Sequence, residues 1–166
     1  MWFLVELPFV YWVFFFCLAF PAVNMATMFL RITFLYGATH NACICAARGR
    51  SFLNPINGDP PAVTLAQDGA NGYVGAFTGI HVLDITTVIL ITNLTTHAQT
   101  ISTTPLTTPA DVSNFTYQVQ VTVNGATDPF FIVPTFFGIP ISGLNQPMQL
   151  TIADRQYFEN PQGLIY

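Results

Sequence analysis

The sequence predicts a mainly β fold, an antiparallel β-sandwich or jelly-roll-like domain, preceded by an N-terminal hydrophobic and helical segment. Three observations carry this expectation. The first 47 residues hold only two formal charges, Glu6 and Arg31, and the chain has no lysine. Beyond them the composition turns to Thr, Asn, Gln, Pro and β-branched residues in short alternating runs. Charged residues make up 7% of the chain, against roughly 25% in typical soluble proteins, yet hydrophobicity is high enough for packing rather than disorder. A chain of 166 residues supports one domain with a real core. The expected division is a hydrophobic anchor or assembly segment at 1–24, a connector or arm at 25–72 and a β-sandwich domain at 73–166.

Residues 2–20 form an apolar run broken only by Glu6 and Pro8. As a helix they reach about 28 Å, close to the hydrocarbon thickness of a bilayer. Pro8 falls in the first turns, where a missing N–H costs least, and Pro21 followed by Asn24 marks the expected end. The anchor residues are therefore Trp2, Phe3, Leu4, Val10, Trp12, Phe14, Phe15, Phe16, Leu18 and Phe20. A cleaved signal peptide would carry a basic n-region, and no Lys or Arg precedes Arg31. Met25 and Met28 are alternative starts. The weaker apolar stretch from Met25 to Ala47 contains Arg31, which costs about 2.5–3.5 kcal/mol at the centre of an inserted helix. An interfacial helix or an extended segment leading into the β domain fits it better than a second span.

Between Ser51 and Gly72, Asn54-Pro55, Asn57-Gly58 and Asp59-Pro60-Pro61 are turn chemistry and read as a linker or irregular arm. Strand candidates follow: Tyr73–Phe77, the long His81–Asn93 run with its apolar centre, Phe115–Val123, Phe130–Val133 and Met148–Ala153. Thr103–Pro109 is excluded as a central strand by its prolines. Phe115–Val123 alternates cleanly, with Phe115, Tyr117, Val119, Val121 and Val123 on one face and Thr116, Gln118, Gln120 and Thr122 on the other. Asn124-Gly125 then reads as a hairpin turn. Phe130, Phe131, Phe136 and Phe137 fill a core or anchor an interface, as aromatics do at interface centres. The apolar tail residues Leu164, Ile165 and Tyr166 dock onto their own domain or a neighbour.

No residue set points to catalysis. His40, Cys43 and Cys45 fall short of the four ligands of a structural zinc site, and no second Cys or His pair follows. His81 and Asp84 are expected on opposite faces of a strand. Paired carboxylates, a Gly-x-Ser-x-Gly elbow, a phosphate-binding glycine loop and a closed calcium loop are all missing from the sequence. No cofactor, metal or small-molecule substrate is expected, and four arginines against eight acids argue against nucleic acid. Cys17, Cys43 and Cys45 all lie in the N-terminal part, so the β-rich remainder is no disulfide scaffold.

Arg31, Arg48 and Arg50 follow the apolar run, which by the positive-inside rule places the β domain on the cytoplasmic side. Two glycosylation acceptor patterns, at Asn93 and Asn114, argue for the other side. An apolar N-terminus, arginines behind it, unpaired cysteines and a β domain resemble in layout the membrane-associated minor capsid proteins of large icosahedral viruses. The resemblance implies a non-enzymatic structural protein, a virion or membrane-associated shell component that packs against copies of itself or other coat proteins. The layout is also similar to that of archaeal pilins, which implies an extracellular filament or pilin-like subunit. The third reading is a cell-surface binding module. Removal of residues 1–47 is expected to leave a folded β domain unless the segment belongs to the core.

Overall fold

In the computed structural model the backbone is described for residues 3–132, 135, 138–140 and 143–166, and side chains from Leu7 onward. The chain begins with helix α1 (Phe3–Phe14), passes through one π-helical turn (Phe15–Ala19) and continues as α2 (Phe20–Ala47). Helix α3 (Ala62–Val74) follows, then strands β1 (Ile80–Asn93), β2 (Gln99–Ser102), β3 (Phe115–Thr127) and β4 (Met148–Tyr157). A short 3-10 turn at Pro161–Ile165 closes the chain. The strands form one antiparallel sheet in the order β2-β1-β3-β4.

This corrects the sandwich expectation. More of the described residues lie in helices than in strands, and a helical layer, α2 with α3, lies where a second sheet was expected. Alternation explains why one sheet suffices. Tyr117, Val119, Val121 and Val123 of β3 are buried, and their partners Ile91, Ile89, Thr87 and Ile85 of β1 share that face. Leu35, Ala38, Ala42, Cys43 and Ala46 of α2 join them in a single core cluster. The opposite face is mainly polar, with Thr86, Thr122, Gln118, Gln120 and Thr151 beside the charged Asp84 and Arg155, which one-sided antiparallel sheets tolerate in water; Val88 and Leu90 are buried within it.

Helix α3 lies within the segment read as an irregular arm. Its buried stripe is Ala62, Ala66, Ala70 and Val74, a helical spacing of four carried mostly by alanine. Small side chains let it approach α2 closely: a Cβ on Gly69 would stand 3.1 Å from Ala42 Cα and 3.2 Å from Cys45 Sγ. Tyr73–Phe77, expected as a strand, is instead the end of α3 and the turn after it, where Phe77 stacks on Phe34 at 4.1 Å.

Helix α2 does not stop at Pro21. The N–H of Phe20 reaches back five residues to the carbonyl of Phe15, and Pro21 occupies the first turn of α2, where it sacrifices no bond of its own helix. The π turn widens the helix just where a proline ring would press on the carbonyl four residues earlier. Leu7–Ala47 is thus one helix of 41 residues. Met25–Ala47, expected as an interfacial or extended segment, is its packed half.

Asn124-Gly125 is also not a turn. Both residues lie inside β3, paired with Thr151 and Leu150 of β4. The glycine is there for space: a Cβ at 125 would meet Leu35 Cδ2 at 2.7 Å and the His81 carbonyl at 3.0 Å. It sits opposite Val82, where β1 bulges between Val82 and Asp84. Of the tail, Leu164 is fully buried and its carbonyl accepts from Leu106 N–H, while the Tyr166 carbonyl accepts from the N–H groups of Phe52 and Leu53. Docking is therefore onto its own domain, with Ile165 half-buried and Tyr166 exposed.

Candidate functional site

The two halves of the long helix meet opposite environments. From Leu7 to Leu18 the large apolar side chains are 39–67% exposed, among them Val10, Trp12, Phe14, Phe15, Phe16 and Leu18. From Asn24 onward one face of the helix is buried in the head domain. Phe3 and Leu4 lie in α1, and Trp2 is outside the described residues. Contiguous exposed aromatic surface of this kind is unusual for a monomer in water and marks a contact with lipid or protein. The helix is long and apolar enough to cross a membrane.

Phe130 and Phe131 belong to this surface. Rings run in contact along the helix and onto the loop after β3: Trp12–Phe16 at 4.6 Å, Phe16–Phe20 at 5.9 Å, Phe20–Phe131 at 4.4 Å and Phe131–Phe130 at 4.5 Å. Phe130–Val133 was expected as a strand. Its described part, Phe130–Ile132, is a loop held against the helix. Phe136 and Phe137 lie outside the described residues.

The clamp that holds this loop is Asn24, which the sequence marked as the expected helix end and which instead lies inside α2. It is fully buried, its Nδ2 donates to the Phe131 carbonyl at 2.8 Å, and its Oδ1 accepts from Phe131 N–H at 2.8 Å. The amide thus satisfies both backbone groups of a loop residue that has no strand partner. Asn24→Leu keeps the volume and strands both groups, so a loss of about 1–3 kcal/mol is expected in chemical denaturation. Faster proteolysis within 128–147 should accompany it. Two turns further along, Arg31 Nη1 donates to the Asp128 carbonyl, and Asp128 Oδ2 bonds His81 Nε2 at 2.9 Å.

The residues weighed for chemistry are dispersed. His40 Nδ1 bonds Asp154 Oδ2 of β4 at 2.6 Å, Cys43 Sγ faces the Val119 carbonyl at 3.5 Å, and Cys45 lies against Gly69. Burial pushes the Cys43 thiol up to about 12, which keeps it protonated and unreactive at neutral pH. Among the described residues, no three His, Cys, Asp or Glu side chains converge as a metal site would require. Open surface clefts occur at Gln146–Gln149 and between Arg50 and Tyr166, and neither is lined by a described His, Cys, Asp or Glu. Each arginine has a polar partner in its own chain: the Asp128 carbonyl for Arg31, an ion pair with Glu159 for Arg48, Asp59 for Arg50 and Gln120 for Arg155.

Asn93 and Asn114 come together at the end of the sheet away from the exposed helix. Asn93 pairs with Phe115, and the Asn114 carbonyl accepts from Leu94 N–H at 2.8 Å. Asn93 Oδ1 caps the N–H groups of Thr95 and Thr96, whereas Asn114 is exposed and donates to Asp111 Oδ2 at 2.7 Å. That amide, with the Ser113 N–H, holds the Asp111 carboxyl below the usual carboxylate range. Compared with known proteins, the chain matches no family model, no curated protein and no solved structure.

Proposed function

We propose that this chain is a non-enzymatic structural subunit of pilin-like layout. The exposed half of its helix holds it in a membrane and packs against the same segment of neighbouring copies, while the other half carries the head outward. The observation behind this is a single helix whose first half is exposed and whose second half is built into the head's own core. A rigid connection of this kind gives every copy the same angle between shaft and head, which helical assembly requires.

Head placement follows from which arginines stand near the membrane. The positive-inside rule counts residues within roughly 15–20 positions of a span. Arg31 qualifies, but its guanidinium is held by the head; Arg48 and Arg50 lie beyond that window, paired with Glu159 and Asp59. The rule therefore weighs little, and an outward head with Asn114 exposed at its far end agrees with the filament reading. The outer face of the sheet, mainly polar with its charges at Asp84 and Arg155 already bonded to Thr86 and Gln120, also favours a second reading, a component of a membrane-associated or virion coat, because such a face can be covered at modest desolvation cost. Electron microscopy of native material extracted in mild detergent separates them: filaments are expected. Closed shells would favour the coat, and monomers alone would favour the binding module.

A further inference from the structure

We propose that the loop after β3, through Phe130, Phe131 and Ile132, rests on the surface of the bilayer that the N-terminal helix enters, as a second lipid contact. This rests on the membrane-anchor reading above. The loop's level along the helix is fixed, because Phe131 stacks on Phe20 and is clamped by Asn24. A span over residues 3–20 of the helix covers about 27 Å, close to a hydrocarbon core of about 30 Å, and would set Phe20 where the helix leaves the acyl chains, with the exposed Val23, Met25, Phe29 and Leu30 beyond it. Phe and other large apolar side chains enter the headgroup and acyl boundary from segments that lie on the membrane surface.

On the face of the helix that meets the loop, polarity is layered along the same axis. The aromatic rings of Phe16, Phe20, Phe130 and Phe131 come first, then the buried amide of Asn24. The charged layer of Arg31, Asp128 and His81 follows, about 16 Å beyond Phe20. The chain descends from Asp128 in the charged layer to an apolar tip where Phe130 is 53% and Ile132 73% exposed. No charged residue occurs from Pro129 through Ala153, so the loop brings no charge to the lipid. Continuity with the anchor, depth and lack of charge together point to lipid as the occupant.

The test uses the full chain in phosphatidylcholine vesicles with Cys17→Ser and Cys45→Ser, the buried Cys43 being kept. A fluorophore is placed on Trp12→Cys, Ile132→Cys or Thr95→Cys and quenched by lipids carrying a nitroxide near the headgroup or deep in the acyl chain. Phe130→Cys is the second loop site should Ile132→Cys fail to fold. Strongest quenching of position 12 by the deep nitroxide, and several-fold stronger quenching of position 132 than of 95 by the shallow one, is expected. Quenching at 12 with 132 no different from 95 would overturn the loop contact and leave the anchor standing. No quenching at 12 would overturn both. Self-quenching at 132 that rises with protein density, without lipid quenching, would assign the loop to a second copy and likewise overturn the proposal.

Discussion

A chain shortened to begin at Pro21 is expected to fold and to stay in solution without detergent, whereas one shortened to begin at Arg48 is expected to aggregate. The two cuts differ only in α2. The first removes side chains that touch little of the head; its main loss is the stack of Phe20 on Phe131, worth about 0.5–1.5 kcal/mol. It also leaves a proline at the first helical position, which helix starts accept. The second cut strips the cover from Ile89, Val119, Val121 and Val123 and removes Leu35 itself. Each fully buried side chain of this size contributes roughly 1.5–3 kcal/mol, so the combined loss rivals the 5–15 kcal/mol that holds a typical domain together. Circular dichroism and sedimentation of the two fragments check this directly. A folded, monomeric fragment from Arg48 would mean that the sheet has a core independent of α2.

Leu35 and Gly125 should behave as one packing unit. Leu35→Ala is expected to cost about 2–5 kcal/mol, the range for emptying a fully buried leucine site. Gly125→Val should cost about 1–3 kcal/mol or more, because the added carbons collide with both Leu35 methyls and with the His81 carbonyl across the sheet. In the double variant the valine enters space the leucine has vacated, so the loss should be smaller than the sum by about 0.5–3 kcal/mol. Only the backbone contact with His81 remains uncompensated. Additive losses in urea denaturation would show that the strand, rather than the helix, absorbs the clash.

The periodic parts of the fold were legible. Phe115–Val123 gave its two faces by simple alternation, and the long run at His81–Asn93 became β1 almost residue for residue. The helical layer was hidden for two physical reasons. In α3 the repeat is carried by alanines, which bury little area each and stand out less than Leu or Phe. In α2 the buried face mixes Asn24, Thr39 and Cys43 with alanines, because close helix packing selects for small size as much as for apolarity. The Asn-Gly pair misled for a related reason: at position 125 a glycine answers a steric demand from Leu35 rather than a turn. The exposed aromatic helix was plain from charge alone, but Asn24 as a clamp was not, since its partner is a backbone 107 residues away.

The central claim is that the exposed half of the helix enters a bilayer while remaining one rigid piece with the head. Flotation of the full chain with phosphatidylcholine vesicles after an alkaline carbonate wash tests it most directly. The full chain is expected to float with the lipid and the chain beginning at Pro21 to stay at the bottom, both with the same folded head by circular dichroism. A full chain left at the bottom after the wash, with its head intact, would contradict it.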